Sequence, residues 1–299
     1  MIKHLTRNEL DVKKYDNCIS KAINSRIYAY SWYLDIVCDN WDVLVLDDYQ
    51  AVMPLPKQKK YGVSYVYQPP WTQQLGIFSP TEVSQKVISS FIKKTTSIFL
   101  LYYNFNAQNL NLKHVRKSIK INYELNLNKT YDGTFNDYRK DRKKSLRKAT
   151  EHKLYFEDGN NVKELIQLYK EVFPLLNIKD ELFKRLYELL EFCLNEEHGF
   201  QRNIYMQNQI VARGFFLHYK NRIYYLFGAS NKQGKKIGAT TFMIDSVLKQ
   251  FANTQNVFDF EGSSIASIGN FYKSFGAMNV PYPVFEIRKG MMMVKKLLQ

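Results

Sequence analysis

The 299-residue sequence has few cysteines and no long apolar run. Its three cysteines, Cys18, Cys38 and Cys193, are odd in number and form no CxxC pair. This argues against a disulfide framework and against a structural zinc site. No apolar run approaches the roughly 20 residues that a membrane-spanning helix needs. The first residues contain no apolar segment of the secretory type, so we expect a soluble, cytoplasmic protein.

Motifs of several common enzyme classes are also missing. The sequence contains no HExxH, no nucleophile elbow and no nucleotide-triphosphate loop, which disfavours hydrolases and kinases. Its histidines are scattered, and we interpret all five as surface or core-edge residues: His4, His114, His152, His198 and His218. We expect no metal.

What the sequence does contain is apolar and basic residues. Hydrophobic residues make up 45% and aromatic residues 15%, enough for substantial cores and against disorder. The length favours two domains. The net charge of +15 favours polyanionic partners, which include nucleotide-activated substrates, tRNA and other nucleic acids.

Periodicity predicts an α/β chain in which one order of elements occurs twice. We place the domains at 1–122 and 123–281, and expect the strands within 282–299 to return to the first. The predicted elements of the first part are helices within 11–38, strands at 41–46, 51–56 and 61–67, a helix from Pro80 to Lys94, a strand at 97–105, a helix at 110–118 and a strand at 119–127. Those of the second are a helix at 131–151, a strand at 154–157, helices at 162–173 and 179–195, strands at 202–206, 210–218 and 223–227, a helix at 239–252, a strand at 257–260, a helix at 268–275 and strands at 283–288 and 291–297.

The stretch 223–277 organises the second domain. A strand, a turn-like basic segment at 228–238, a helix from Ala239 and a second strand together suggest one crossover unit of an α/β sheet. The free N–H groups at the start of such a helix can hold a phosphate. A solvated turn without a ligand is the alternative interpretation of the same segment.

Two further segments are candidates for binding. The densest basic run, 138–149, predicts a helix with its cations mostly outward, either a solvated face or a phosphate-contacting surface. The loop 68–76 carries Trp71 after two prolines, and is either a rigid connection or a wall of a substrate site.

Two short motifs resemble those of the GNAT superfamily of N-acetyltransferases. The run 235–240, Lys-Lys-Ile-Gly-Ala-Thr, resembles the Gln/Arg-x-x-Gly-x-Gly/Ala loop, with Lys in the first place and Thr in the last. The run 270–277, Asn-Phe-Tyr-Lys-Ser-Phe-Gly-Ala, resembles an Asn and Tyr-x-x-x-Gly-Phe motif, with Ala277 in place of Phe. Together with 123–127, 212–230 and 258–264, these runs resemble the FemABX-like branch.

The resemblance implies two tandem GNAT-like domains, each a mixed sheet flanked by helices. It implies transfer of an acyl group from acyl-CoA, or of an aminoacyl group from charged tRNA, to an amine acceptor such as a cell-wall or surface-glycan precursor, which could be nucleotide-activated. The residues that it assigns to the donor's phosphates are Lys235, Lys236, Ile237, Gly238, Ala239 and Thr240.

The resemblance and the chemistry together predict the reacting groups. Tyr272 matches the GNAT tyrosine that protonates the leaving group; a core-edge tyrosine is the alternative. Glu261 could accept the amine proton, unless it is a capping or surface-paired carboxylate. The predicted substrate contacts are Trp71, Asp259, Arg147 and Lys144. A non-catalytic module that binds RNA or another polyanion through its basic helix is the alternative function.

Overall fold

A computed structural model describes residues 1–60, 62–95, 102–109, 117–175, 178–263 and 265–286. The chain divides into two compact units, 1–120 with 281–299, and 121–280. The mixed α/β class predicted from the sequence is confirmed.

The first unit is built on an antiparallel sheet whose strands lie in the order β1 (Ile2–Thr6), β2 (Asn40–Leu46), β3 (Ala51–Lys60) and β4 (Val63–Val66). Its other described strand, β5 (Tyr102–Asn104), pairs antiparallel with the last residues of β12 (Met278–Glu286), from Val284↔Asn104 to Glu286↔Tyr102. Its helices are α1 (Val12–Lys21), α2 (Ser31–Val37) and α3 (Gln85–Thr95).

The second unit begins within β6 and ends within β12. Its elements are β6 (Lys117–Asn126), α4 (Tyr131–Asn136), α5 (Lys140–Glu151), β7 (Tyr155–Gly159), α6 (Val162–Val172), α7 (Asp180–Asn195), β8 (Gly199–Met206), β9 (Gln209–Tyr219), β10 (Arg222–Ser230), α8 (Lys232–Ile237), α9 (Ala239–Gln250), β11 (Val257–Asp259) and α10 (Ala266–Lys273).

The sheet of the second unit is mixed. Strands β7, β8, β9 and β10 pair antiparallel in that order, β11 then pairs parallel to β10, and β6 pairs antiparallel to β11. A parallel neighbour requires a crossover connection. Here α8 and α9 supply it, as the predicted strand–helix–strand unit requires.

Helices cover both faces of this sheet. Side chains alternate along a strand, so Phe215 and Phe216 of β9 point to opposite faces. Phe216 belongs to a buried cluster with Met243 of α9. On the other face, Phe227 pairs with Phe215 and contacts the ring of Tyr169 in α6 at 5.4 Å. Residues of α5, α9 and α10 pack in one buried cluster with residues of this sheet.

The prediction of a turn at 228–238 is wrong. Strand β10 continues to Ser230, and α8 follows at once. The side chain of Asn231 caps α8 by accepting from the Gly234 N–H at 2.8 Å, and Gly238 ends it in the left-handed conformation at φ 81°. An Asn before a helix and a Gly after it are ordinary helix-end signals.

Two predicted helices differ in their limits. Helix α3 begins at Gln85 instead of Pro80. Ser84 comes directly before it, and its hydroxyl accepts from the Val87 N–H at 3.4 Å, as an N-cap residue does. The predicted helix 131–151 is divided into α4 and α5. Its break coincides with a tertiary contact in which the Arg139 N–H donates to the Ser274 carbonyl at 3.0 Å.

Several predictions fall outside the described residues, in whole or in part. These are most of the strand at 97–105 and of the helix at 110–118, and the strands beyond Glu286. Residues 117 and 118 belong to β6 and not to a helix. In the part of the chain that the structure describes, no helix combines the length and the apolar character that crossing a membrane demands.

Substituting Gly234→Ala tests how closely α8 approaches the sheet. An added Cβ would collide with the Val211 carbonyl oxygen and lie 2.5 Å from the Ser230 hydroxyl. Alanine favours a helix by about 1 kcal/mol over glycine. The collision with backbone should outweigh that gain, and we expect a net loss of about 2 kcal/mol in the free energy of unfolding, measured by urea titration.

Gly133→Ala is the matched control. Gly133 also occupies a short helix and donates its N–H to a capping side chain, that of Thr130. Its added Cβ would lie 3.3 Å from that hydroxyl and in ordinary van der Waals contact with the Lys129 side chain. We expect a change below about 0.5 kcal/mol. Equal losses in the two variants would contradict the close approach of α8.

Candidate active site

The parallel strands β10 and β11 separate early. They pair over three residues, from Arg222↔Val257 to Tyr224↔Asp259, and β11 ends there. Strand β10 continues to Ser230, paired on its other side with β9. Beyond Tyr224, therefore, β11 does not cover this edge of β10. A strand edge without a neighbouring strand is a place where an extended ligand can form main-chain hydrogen bonds.

A bulge redirects side chains along the same stretch of β10. Its register with β9 shifts between Tyr225 and Phe227, so Leu226 is the extra residue. Bulges bend a strand and re-aim its side chains. The Tyr225 hydroxyl would lie 2.7 Å from a Cβ added to Gly228, so a side chain at position 228 would displace this tyrosine.

Tyr272 of α10 lies near the point where β10 and β11 separate. Its ring is 4.9 Å from that of Phe260 and 5.9 Å from that of Tyr123. Burial raises the pKa of Tyr272 above its ordinary value of 10.0, and the Glu261 carboxylate raises it further. Burial likewise raises the pKa of Tyr225, with a contribution from Tyr272. The phenol of Tyr272 is thus protonated at neutral pH and lies within electrostatic reach of Glu261 and Tyr225.

Solved structures share this architecture, although no protein-family model and no curated protein sequence matches the chain significantly. FemX superposes with a TM-score of 0.66 at 10% identity, over 98% of this chain and 99% of FemX. The chain has the fold of FemX. The C-terminal domain of a candidate lysylphosphatidylglycerol synthetase from Agrobacterium fabrum gives 0.58 at 10% identity, over 96% of this chain and 95% of that one. L-PGS from Bacillus licheniformis gives 0.58 at 11% identity, over 96% of each chain. These structures confirm the FemABX-like fold that the residues predicted.

Within the FemX fold, Glu261 is held by an unusual backbone turn. Glu261 and Gly262 both have positive φ, at 63° and 60°, which is uncommon for a non-glycine residue. The Glu261 N–H donates to the Asp259 carboxylate at 3.0 Å. This contact fixes the turn that carries Glu261 directly after β11.

The Asp259 carboxylate is itself buried, with 1% of the residue exposed. It accepts from the Asn122 amide at 2.8 Å and from the Arg222 guanidinium at 3.0 Å. Arg222 also pairs with Glu124 at 2.8 Å. Burial alone would lower the pKa of Arg222, but the two carboxylates outweigh it and raise the pKa. With three donors already on its carboxylate, Asp259 positions Glu261; its predicted contact with substrate stays a prediction.

The predicted donor site lies at the junction of α8 and α9. Gly238 packs against α5, because an added Cβ would lie 2.5 Å from the Ser145 hydroxyl. The Gly238 N–H already donates to the Gly234 carbonyl. The six residues assigned there differ in exposure. Lys235 and Lys236 are exposed, Gly238 and Thr240 are half-buried, and Ile237 and Ala239 are buried.

Helix α5 lies over the first turn of α9. The buried Thr241 hydroxyl accepts from the Arg142 guanidinium at 2.6 Å and from the Ser145 hydroxyl at 3.2 Å. The same guanidinium lies 4.7 Å from the centroid of the Phe271 ring in α10. Arg142 therefore joins three helices beside Tyr272.

The two basic candidates on α5 are both exposed but differ in surroundings. Arg147 lines a cavity of about 870 Å³ between α5, α9 and the edge strand β7, whereas Lys144 does not. The floor of this cavity includes Asp245, 7% exposed, whose carboxylate accepts at 3.0 Å from the hydroxyls of both Tyr131 and Tyr138.

Trp71, the remaining candidate, belongs to the first unit. It has φ 61°, and its carbonyl oxygen accepts from the Tyr33 hydroxyl. Gln68 fastens the same loop by donating to the Thr72 carbonyl at 2.8 Å and accepting from the Asn104 N–H at 2.9 Å. These contacts fit a rigid connection, and a substrate role for Trp71 stays a prediction.

Sequence reasoning missed Asn122, Arg142 and Arg222. Asn122 and Arg222 lie 137 and 37 residues from Asp259, so no local spacing reveals the cluster. Arg142 was visible only as one cation in a basic run. Within the described residues, no group of three or more His, Cys, Asp or Glu side chains is placed to hold a metal ion.

Asp245→Asn tests the buried carboxylate by its pH dependence. Burial raises the pKa of Asp245, and the hydrogen bonds from Tyr138 and Tyr131 lower it only in part. Because the native state then binds this proton more tightly than the unfolded chain, Asp245 contributes stability that is fully present below its ordinary pKa of 3.8. That stability is lost as the pH rises through the raised native pKa.

Urea unfolding of the wild type and of Asp245→Asn across pH 4 to 7 measures this effect. The stability of the wild type relative to the variant should fall as the pH rises. Asp132→Asn, on exposed α4 surface, controls for the loss of one negative charge. A relative stability that rises with pH would contradict the assignment.

Proposed function

We propose that this protein transfers an acyl or aminoacyl group to an amine. The observation that carries the proposal is the separation of β10 and β11 beyond Tyr224, with Tyr272 and Glu261 near that point. A strand edge can hold the donor in an extended form, and the two side chains supply an acid and a base. The FemX fold over almost the whole chain supports the same class.

The proposed reaction removes two protons from the nitrogen and supplies one to the leaving group. Glu261, through a water molecule, accepts a proton from the acceptor's ammonium group, and the amine nitrogen attacks the donor carbonyl. The tetrahedral intermediate loses the second proton of its nitrogen to water and then collapses, so that a C–N bond has formed and the C–O or C–S bond to the carrier breaks. Tyr272 gives its proton to the departing oxygen or sulfur, and is reprotonated from Glu261 or solvent.

Tyr272 holds its proton at neutral pH, as the acid role requires. Burial and the Glu261 carboxylate both disfavour the phenolate, which keeps the pKa of Tyr272 above its ordinary value. Glu261, which interacts electrostatically with Tyr272, is the group that returns the proton after each turnover.

We infer that the donor is an aminoacyl-tRNA. Helix α5 packs against Gly238 and Thr241 at the start of α9, where the pyrophosphate of CoA would be expected to bind. Helix α5 instead exposes several cations, and the chain carries a net charge of +15. One similar structure is named as a candidate lysylphosphatidylglycerol synthetase, a name that implies an aminoacyl product.

For the acceptor we propose an amine-bearing precursor of the cell wall or of a surface glycan, the class that the FemABX-like resemblance implies. Such a precursor could be nucleotide-activated. Its phosphates would then add to the anionic character that the basic surface of the protein favours.

The direct test is a panel of donors, with labelled aminoacyl-tRNAs in one arm and acyl-CoAs in the other. Tyr272→Phe should lower kcat about 100-fold or more with little change in KM, because only the leaving-group proton is lost. Tyr205→Phe, a half-buried tyrosine stacked on Tyr155 of the edge strand, should retain full activity. Turnover that is equal in Tyr272→Phe and the wild type would refute the assigned acid.

A non-catalytic module that binds RNA is the second candidate. The exposure of Lys140, Lys144, Arg147 and Lys148 on α5 favours it. Strong, salt-dependent RNA binding without turnover in either arm of the panel would select this function over the transferase.

The combined change Lys144→Gln and Arg147→Gln tests the contribution of α5 to RNA binding. The slope of log K against log salt should become shallower by about 0.7 to 0.9 for each cation that contacts a phosphate. Lys163→Gln with Lys184→Gln removes two exposed lysines from α6 and α7 and should leave the slope unchanged. Equal slopes in both double variants would place the RNA elsewhere.

A further inference from the structure

The cavity beside α5 has walls and a rim of different chemistry. Its volume of about 870 Å³ is within the range of small-molecule sites. Phe135, Phe156 and Phe242 contribute aromatic walls from three separate elements. Lys143 and Arg147 of α5 face the cavity one helical turn apart, and Lys249 lies across from them on α9.

Phe156 has the environment of a stacking platform. It belongs to the edge strand β7 and is 41% exposed, high for a phenylalanine. The Arg202 guanidinium lies 4.1 Å from the centroid of its ring, and Arg202 is 1% exposed. Arg202 is fixed in turn by Asp158 at 2.9 Å and by Gln250 at 2.6 Å. One face of the ring is therefore supported by a rigid cation, while much of its surface stays open.

The charges around the cavity favour an anion. Of the three lining carboxylates, Asp158 is paired with Arg202 and Asp245 accepts from two tyrosine hydroxyls. Glu151 is the third, and it is exposed. The same lining also contains three cations, Lys143, Arg147 and Lys249, so cations outnumber the one remaining carboxylate. A phosphate that contacts two of these cations would gain charge-assisted hydrogen bonds.

We propose that this cavity binds a nucleoside phosphate, with its base stacked on Phe156 and its phosphate on Arg147, Lys143 and Lys249. A flat apolar face with cations at one edge matches a base joined to a phosphate. A purely apolar ligand would present no negative charge to the three cations. A small inorganic anion would present no apolar surface to the aromatic walls.

The proposal deepens the proposed function and rests on it, because both donor classes carry an adenosine phosphate. In aminoacyl-tRNA it is the 3′ end of the RNA, and in acyl-CoA it is the nucleotide part of the carrier. Helix α5 connects the two regions physically. Lys143 and Arg147 line the cavity, while Arg142 on the same helix lies against Phe271, next to Tyr272.

The test is equilibrium binding to the full-length protein of three probes: AMP, CoA and a fluorescent single-stranded RNA that ends in CCA. Phe156→Leu should weaken binding about 5- to 100-fold, because stacking on an aromatic ring is lost. Tyr155→Leu is the matched control; it removes a neighbouring, similarly exposed ring that stacks on Tyr205 and does not line the cavity. It should bind as the wild type does.

Arg147→Gln tests the site from the opposite wall and does not depend on the folding of the edge strand. It should weaken binding of the RNA probe and make its salt slope shallower by about 0.7, whereas Lys163→Gln on α6 should not. A Phe156-dependent affinity for any probe supports the proposal, and the tightest probe identifies the source of the nucleotide. Equal binding by wild type and Phe156→Leu, or equal losses in Phe156→Leu and Tyr155→Leu, would overturn it.

The outcomes also separate this inference from the transferase proposal. Nucleotide binding that depends on Phe156, without turnover of any donor, would refute the transferase and leave the nucleotide site standing. Turnover that depends on Tyr272, with nucleotide binding indifferent to Phe156, would do the reverse.

Discussion

The buried carboxylate of Asp259 is the contact on which the geometry of the candidate active site depends. It joins Asn122 of β6, Arg222 of β10 and the backbone of Glu261. A buried carboxylate is tolerated only where donors surround it, and here each donor comes from a different segment. The cluster therefore fastens the three strands at the point where β10 and β11 part, and aims the turn that carries Glu261.

A second constraint is the packing of α5 onto α9. Gly238 has no side chain and a left-handed backbone, which lets Ser145 approach closely. The Arg142 guanidinium then reaches the Thr241 hydroxyl and the Phe271 ring. This packing places a helix–helix contact at the segment that resembles a donor loop, and it brings the basic helix α5 close to α10, which carries Tyr272. The same residues that resemble a donor motif thus acquire a structural role.

Much of the fold was accessible from the sequence. The spacing of apolar residues located α2 and most strands of the second unit, because burial on a regular element imposes a regular pattern. The errors occurred where tertiary contacts compete with local preference. The Ser79 hydroxyl bonds to the Gln50 carbonyl oxygen, far away in the sequence, and α3 starts later, at Gln85. Arg139 interrupts a continuous helical pattern by bonding to the end of α10.

The candidate site was accessible only in part. Tyr272 and Glu261 were identified from a short motif and a strand end, and the structure places them within electrostatic reach of each other. Arg147, which was predicted to belong to a binding surface, lines a cavity together with Phe156 and Lys249. No spacing pattern in the sequence connects these two residues to Arg147. Trp71 and Lys144 do not line this cavity.

The sequence by itself determined the mixed α/β class, the positions of most strands of the second unit and the strongly basic character, since these depend on composition and on the spacing of neighbours along the chain. Tertiary structure alone decided that β11 stops at Asp259, that α5 covers the first turn of α9 and that Phe156 lies on Arg202. Each of these is a contact between residues far apart in the chain. Its geometry is set by close packing and by the need to satisfy buried charges, neither of which leaves a local trace.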